Sequence, residues 1–278
     1  MDGHIIDTMK NSAELCSEMI EHQYESDMQM LESLATQLSL SFDNNPELAI
    51  ERMASFAENY GMKRVAFSFP DGVTLTTDDS ELNMKGGENF ERALRGEYVL
   101  SSAIIDRADG KLIHVYVLPV YKKDSQEILG VLAAVYGSEV FEDVLMASSF
   151  TGEGYTYIID SKGDIMINSH HSNAITQISN LYDYVKEYDK AGAVALQTQL
   201  QKDGEGLFEI KRDNNLYIYY KKLSFSDWYV ISAVPKRIVT ETKISVMSRV
   251  LLYCMGILVC AVFIVYSLRF VLKEKTMS

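Results

Sequence analysis

Adjacent histidines are the first residues in this 278-residue chain whose type and spacing suggest chemistry. The pair is His170-His171, and imidazole is a common metal ligand. Neighbouring side chains on a strand point to opposite faces, so only one ring of the pair can easily join a common site. A polar loop is the better interpretation, and the sequence predicts no metal site.

The cysteine, serine and glycine patterns provide no catalytic or cofactor site either. Cys254 and Cys260 lie in one apolar run, which leaves Cys16 without a disulfide partner in the body, and no CxxC metal pattern is present. We interpret Cys16 as a small packing residue. The sequence has no GxSxG motif, and Gly152-Glu153-Gly154 lacks a phosphate-binding lysine. We therefore predict no catalytic residue and no cofactor.

The charge balance excludes one class of partner. The chain has 39 Asp+Glu against 26 Lys+Arg, a formal net charge of −13. Nucleic-acid binding requires a basic surface, so we predict no nucleic-acid partner. Hydrophobic residues make up 47% of the chain, which provides for a sizeable core and argues against intrinsic disorder.

An uncharged run without proline, Val250 to Leu268, lies between Arg249 and Arg269. Its length is close to the about 20 residues with which a helix crosses roughly 30 Å of hydrocarbon, so we predict a transmembrane helix. Basic residues are nearly balanced on its two sides and do not fix its orientation. The polar first residues do not form a signal peptide. Either the body is cytoplasmic, or an upstream membrane helix is missing from the chain shown.

The elements that would position a site begin with a long helix. Apolar residues at three- and four-residue spacing predict one helix over about 4–40, about 54 Å long. Gln23 and Asp27 interrupt its apolar stripe, which disfavours an ideal coiled coil and leaves a helix pair in a dimer open. A second helix is predicted from Pro46 to near Gly61, so residues 1–60 form a helical spine.

The pattern then changes to that of strands, and the order hairpin, helices, three strands occurs twice. The first module, over 61–149, is predicted as a five-stranded antiparallel sheet with helices on one face. Its strands are predicted at 63–69, 73–77, 98–105, 111–120 and 129–136, with helices at 88–94 and 139–149. The second module, over 150–235, has strands predicted at 155–160, 164–168, 206–212, 216–223 and 228–234, with helices at 178–188 and 191–201. Residues 236–278 then hold an exit helix, the transmembrane helix and a stub.

Three segments of the modules resemble the double Cache (dCache) sensor domain of bacterial transmembrane receptors. They are Gly154-Tyr155-Thr156-Tyr157-Ile158-Ile159-Asp160 with Gly163-Asp164-Ile165, Leu118-Pro119-Val120 with Ile128-Leu129-Gly130-Val131-Leu132, and Asp227-Trp228-Tyr229-Val230-Ile231 with Val234-Pro235. The resemblance covers about residues 1 to 270. It implies an α+β fold in which a long N-terminal helix and two PAS-like antiparallel-sheet modules precede a C-terminal transmembrane helix.

The same resemblance implies the function and the topology. The body would lie outside the cytoplasmic membrane, with a first membrane helix upstream of the chain shown and a cytoplasmic C-terminus. The first module would be membrane-distal and bind a small molecule, without enzymatic activity. The output domain could be a diguanylate cyclase, a histidine kinase or a chemoreceptor signalling domain. The expected partners are a small-molecule ligand, the lipid bilayer at Val250 to Leu268, and a second copy through the N-terminal helix.

A ligand site needs aromatic walls and a few convergent polar groups. With the distal placement that the resemblance implies, the candidates are Phe67, Phe69, Arg92, Tyr98, Tyr116 and Tyr136. Arg92 could clamp a carboxylate. The alternatives are core packing for the aromatic residues and a solvated helix face for Arg92. We expect at least two of the six to line the pocket.

The sequence departs from family members that bind amino acids. Those carry an Arg-x-Trp-Tyr signature in the distal module and an Asp on its last strand, whereas here the only Trp is Trp228 and the strand position is Val135 or Tyr136. This argues against amino-acid recognition of that kind. Two other functions stay open, a membrane-anchored enzyme and a structural protein that docks another protein through the proximal module.

Overall fold

The computed structural model describes residues 3–44, 46–78, 80, 82–106, 109–138, 140–141, 145, 154–168, 178–211, 215–236, 252–255 and 257. It confirms the α+β fold, with a long N-terminal helix and two antiparallel sheets. The expected exit helix and most of the expected transmembrane helix lie outside these residues. Within them, no helix combines the length and the apolar character that crossing a bilayer requires.

Helix α1 (Gly3–Asn44) has 42 residues and is therefore about 63 Å long. Helix α2 (Pro46–Asn59) packs against it and begins at a proline. Proline suits the first turn of a helix because a backbone N–H at that position would have no partner within the helix. One face of α1 is buried along its length, as the spacing predicts, and it contacts strands of both sheets. The helix is a spine for the whole body.

The first sheet has six strands in the order β2-β1-β6-β5-β3, with β4 also paired to β5. The strands are β1 (Arg64–Ser68), β2 (Thr74–Thr76), β3 (Val99–Leu100), β4 (Ile104–Ile105), β5 (Leu112–Tyr121) and β6 (Ile128–Gly137). The one strand expected over 98–105 is thus split in two. At the break, the Ser101 hydroxyl accepts the Val115 N–H in place of a backbone carbonyl, so a side chain competes with the ladder.

Helices cover both faces of this sheet, so the expectation of helices on one face was wrong. Helices α1 and α2 lie against one face, and α3 (Glu88–Leu94) lies against the other. Strands β5 and β6 are apolar at consecutive positions: Tyr116 and Leu132 pack towards α1, while Val117 and Ala133 pack towards α3. Continuous apolar runs are typical of strands that are buried on both faces.

The second sheet has five strands in the order β8-β7-β11-β10-β9. They are β7 (Tyr155–Ile159), β8 (Ile165–Ile167), β9 (Glu205–Ile210), β10 (Leu216–Lys222) and β11 (Tyr229–Pro235). Helices α4 (Leu181–Tyr188) and α5 (Lys190–Asp203) share a core with one face, and α1 contacts β10 and β11. The helix expected from residue 178 begins at Leu181, because the Asn180 side chain accepts the N–H groups of Tyr182 and Asp183 and caps it.

The two modules meet at α1 through the loop between β10 and β11. The ring of Tyr24 on α1 stacks on Phe225 of that loop, with ring centroids 3.9 Å apart and planes at 7°. On its other side Tyr24 stacks on Tyr116 of β5, with centroids 6.0 Å apart. Glu21 accepts the Ser224 N–H at 2.6 Å. We call these five residues the module junction.

Candidate ligand site on the first sheet

Two of the expected site residues, Phe67 and Phe69, pack against the spine. Their ring centroids lie 4.3 and 5.4 Å from that of Phe42 on α1. Phe67 is fully buried in the core shared by α1 and both sheets. Both rings therefore contribute to core packing on the α1 face.

Tyr116 and Tyr136 also lie on the α1 face. Both are buried, and their ring centroids are 5.4 Å apart. The Tyr116 hydroxyl donates to Asp27 Oδ2 on α1 at 2.9 Å. Burial raises the pKa of Tyr116, and the Asp27 carboxylate adds to the increase. The residue that interrupts the apolar stripe of α1 thus has a buried partner on the sheet.

Arg92 and Tyr98 lie apart from this group and from each other. Arg92 Nε donates to Glu97 Oε2 at 2.8 Å, and its side chain is 38% exposed at the end of α3. Tyr98 is 42% exposed, and burial of part of the ring, with the Glu32 carboxylate beside it, raises its pKa to about 12. The structure therefore places Arg92 on the α3 side of the sheet and groups the buried aromatic residues on the α1 side.

Charged side chains converge at one end of the α3 face. Arg64 Nη2 lies 2.6 Å from Asp106 Oδ1, and Arg64 Nη1 lies 3.1 Å from Asp78 Oδ2. Lys63 Nζ lies 2.9 Å from Asp106 Oδ2 and 2.7 Å from Asp109 Oδ2. We call these five residues the Arg64 cluster. The Asp106 side chain is only 1% exposed, so its charge is held by these partners rather than by water.

Local structure explains how the cluster forms. Arg64 on β1 pairs with Val135 on β6, and directly opposed residues of antiparallel strands share a face. Asp78 follows the edge strand β2, and Asp106 follows the short strand β4. The second half of the expected strand, β4, is thus followed directly by the carboxylate of Asp106, which lies beside Arg64. The resemblance expected an acidic residue at Val135 or Tyr136, and the acids beside Arg64 come from the two strand ends instead.

The ionisation of Asp78 in the cluster is favoured by its hydrogen-bond partners. Burial alone would raise the pKa of Asp78, but hydrogen bonds from Ser80 and the Arg64 guanidinium outweigh it and keep that pKa below its usual value. Asp78 is therefore ionised at neutral pH. Within the described part of the chain, Arg64 Nε is buried and has no hydrogen-bond partner. One donor of the guanidinium is thus unused.

An apolar floor continues from the cluster along the same face. It consists of small side chains, including Ala66, Ala133 and Val117, and Phe90 of α3 covers it. Ala66 is two residues from Arg64 on β1, about 7 Å along the strand. Helix α3 lies between Gly86 and Gly96, whose φ angles of 76° and 88° favour glycine. The α3 face thus has a charged end and an apolar floor, and α3 covers that floor.

Sequence reasoning missed the Arg64 cluster. The signal for Arg64 was present, because a charged residue within an apolar strand requires a buried partner. Asp78 and Asp106 had no such signal, since acidic residues in turns are common. Among the described residues, no group of three His, Cys, Asp or Glu side chains could hold a metal ion. The His170-His171 pair lies outside those residues.

A sequence model of the dCache_1 family, described as a Cache domain, matches residues 1–242. The chain belongs to the Cache domain family. This confirms the resemblance that the sequence motifs indicated. A comparison with curated proteins found no match to this Cache domain.

Solved ligand-binding domains of chemoreceptors share the fold of this Cache domain. That of CtaA from Pseudomonas fluorescens, in complex with L-serine, has a TM-score of 0.67 and 14% identity over 84% of this chain and 98% of that chain. That of PctC from Pseudomonas aeruginosa PAO1, in complex with GABA, has a TM-score of 0.66 and 16% identity over 82% and 99%. That of PctB from the same organism, in complex with L-Arg, has a TM-score of 0.66 and 16% identity over 84% and 96%.

Proposed function

We propose that this Cache domain is the small-molecule sensing region of a bacterial transmembrane receptor. Membership of the family over residues 1–242 carries the proposal. The chemoreceptor domains that share its fold are named with L-serine, GABA and L-Arg as ligands, which supports a small molecule as the signal. The body would lie outside the cytoplasmic membrane, and Val250 to Leu268 would connect it to a cytoplasmic output domain.

The ligand site in this proposal is the α3 face of the first sheet, beside the Arg64 cluster. The cluster presents a guanidinium whose Nε–H has no partner among the described residues, and two carboxylates, Asp78 and Asp106. A small zwitterion can pair its carboxylate with Arg64 and its amine with Asp78, which is the more exposed of the two acids. Its carbon skeleton would lie on the apolar floor, where Phe90 now packs.

Strand β5 connects this site to the spine. Its side chains alternate between faces, so Val117 lies on the floor while its neighbour Tyr116 is hydrogen-bonded to Asp27 of α1. A ligand can signal only through different affinities for two arrangements of the protein. We infer that a displacement of β5 is passed to α1 and, through the module junction, to the second module. A second copy bound through α1 would then receive the same displacement.

Calorimetric titration of the 278-residue chain in lipid nanodiscs with small zwitterions, amino acids first, tests the proposal. Asp78→Asn removes one charge of the cluster, and Asp71→Asn removes the same charge from an exposed turn. For a confirmed ligand we expect Asp78→Asn to weaken binding about tenfold or more, because a hydrogen bond to a charged group is lost. Asp71→Asn should bind as the parent does.

Two results would count against the proposal, and they are distinguishable. Equal affinities of the Asp78→Asn and Asp71→Asn chains for the ligand would show that the ligand binds away from the Arg64 cluster. The proposed sensing function would not be contradicted by that result. Failure of every small molecule in a broad screen to bind the folded parent chain would contradict the sensing function itself.

A further inference from the structure

A cavity of about 610 Å³ lies on the α1 face of the first sheet, opposite to the proposed ligand site. It is bounded by α1, by Tyr98 at the sheet edge and by the tip of the hairpin between β5 and β6. Small-molecule sites in proteins have volumes of about 300–1,000 Å³. We call this space the α1 cavity, and its size suits a small organic molecule.

One residue that lines the α1 cavity, Ser39, has a buried hydroxyl that is paired with no described residue. Ser39 on α1 is 5% exposed, and its Oγ has no hydrogen-bond partner in the described part of the chain. The lining also includes Ala35 and Leu118, which are buried and apolar and offer no hydrogen-bonding side chain. Buried polar groups in proteins are normally paired. A ligand that donates a hydrogen bond to Ser39 Oγ would remove the free-energy cost of leaving this buried hydroxyl unpaired.

The balance of charges at the cavity favours a cation. The lining contains Lys122 and Lys123 against Glu32 and Asp124, and Lys122 is paired with Glu127, a further acid, at 2.5 Å. Glu32 on α1 has no cationic partner among the ion pairs of the described residues, and its carboxylate accepts a hydrogen bond from the Tyr98 hydroxyl. The net charge of the chain, −13, adds a field that attracts cations.

The aromatic residues of the lining also favour a cation. Tyr98 and Tyr121 both line the cavity, and the carboxylate of Glu32 lies in the same lining. The faces of tyrosine rings attract ammonium groups, and they do so more strongly where water is partly excluded. A carboxylate, two aromatic rings and one unpaired hydroxyl together match a protonated amine with a short carbon skeleton.

We propose that the α1 cavity binds a small protonated amine, with its ammonium group against Glu32 and the two tyrosine rings and a donor directed to Ser39. The site is separate from the α3 face. An amine bound here would join α1 to the edge of the first sheet and would thereby modulate the displacement of α1.

The probe for this site is 2-phenylethylamine, compared with neutral 2-phenylethanol and anionic 3-phenylpropionate. Each is titrated calorimetrically into the 278-residue chain in nanodiscs of zwitterionic lipid, with empty nanodiscs subtracted. We expect the amine to bind at least about tenfold more tightly than the alcohol, because only the amine forms a charge-assisted contact with Glu32. Tighter binding of the carboxylate, or no binding of the amine, would overturn the proposal.

Three variants locate the binding. Glu32→Gln should weaken binding of the amine about tenfold, while Glu25→Gln, a matched change at an exposed position of the same helix, should leave it unchanged. Asp78→Asn, on the opposite face, should also leave it unchanged, which separates this site from the proposed ligand site. Equal effects of the two glutamate variants, or a loss in Asp78→Asn, would show that the amine binds elsewhere.

Discussion

At the scale of single residues, Asp27 is a carboxylate that the fold has removed from water. It is 4% exposed and accepts hydrogen bonds from Tyr116 and Gln23, each at 2.9 Å. Burial raises its pKa, and the two hydrogen bonds only partly oppose that effect. The folded state therefore binds the Asp27 proton more tightly than the unfolded chain does. Through this group, stability falls as the pH rises from 3.8 through the folded-state pKa.

Asp27→Asn is expected to remove this decline. The asparagine oxygen can still accept the Tyr116 hydroxyl, but the side chain no longer titrates. Urea denaturation from about pH 4 to pH 7 should show the free energy of unfolding of the variant gaining on that of the parent as the pH rises. Glu25→Gln, at an exposed position of the same helix, provides the control. Parallel curves for Asp27→Asn and the parent would contradict the assignment.

The same residue shows why sequence reasoning found only part of the site. Locally, Asp27 is an interruption of an apolar stripe, and its partner Tyr116 lies 89 positions away in the chain. Arg64 and Asp106 are 42 positions apart. The residue types indicate that a buried charge needs a partner, but which partner it meets depends on strand order and register, which local patterns do not contain.

At the scale of elements, α3 holds the α3 face closed through Phe90. This ring is 2% exposed and lies over the small side chains of Ala66 and Ala133, which leave room for it. Gly86 and Gly96 lie at the two ends of α3, and both have positive φ angles that favour glycine. The packing of Phe90 is thus the main apolar contact between this cover and the floor.

Phe90→Ala is expected to lower the free energy of unfolding by about 3–5 kcal/mol, because it leaves a cavity over the apolar floor. Leu94→Ala, in the same helix at a partly buried position, should cost clearly less. Denaturant unfolding of both variants measures the difference. Similar losses in the two variants would show that Phe90 does not carry the docking of α3.

The elements with strong periodicity were predictable, and their arrangement was less so. Helix α3 and strand β1 agree with their predicted ranges to within one residue at each end. The break at Ser101 was not predictable, because it depends on a hydrogen bond to the neighbouring strand rather than on a turn residue. The burial of both faces of the sheet was predictable from the continuous apolar run of β5, because a strand with one solvent-exposed face alternates apolar and polar residues.

At the scale of the whole molecule, the module junction joins α1 to both modules. Tyr24 stacks on Phe225 of the second module and on Tyr116 of the first, so one ring on α1 touches both. Phe225 in turn lies near Trp228, whose ring centroid is 6.3 Å from that of His114 on β5. Two aromatic contacts, one through Tyr24 and one between His114 and Trp228, thus link β5 with the second module.

Tyr24→Ala is expected to weaken the coupling between the sheets. In the parent, Phe90→Ala should raise hydrogen exchange in the strands of both sheets, because weakening the first sheet also weakens its contacts with α1 and the second. In the Tyr24→Ala background the same change should raise exchange less in the second sheet than it does in the parent, because the contact of Trp228 with His114 remains. This double-mutant cycle measures a coupling free energy, which we expect to be about 0.5–1.5 kcal/mol from the loss of ring stacking. Tyr24→Phe keeps the stacked ring and should preserve the coupling. Equal coupling free energies in the Tyr24→Ala and Tyr24→Phe cycles would show that the sheets are coupled by another route.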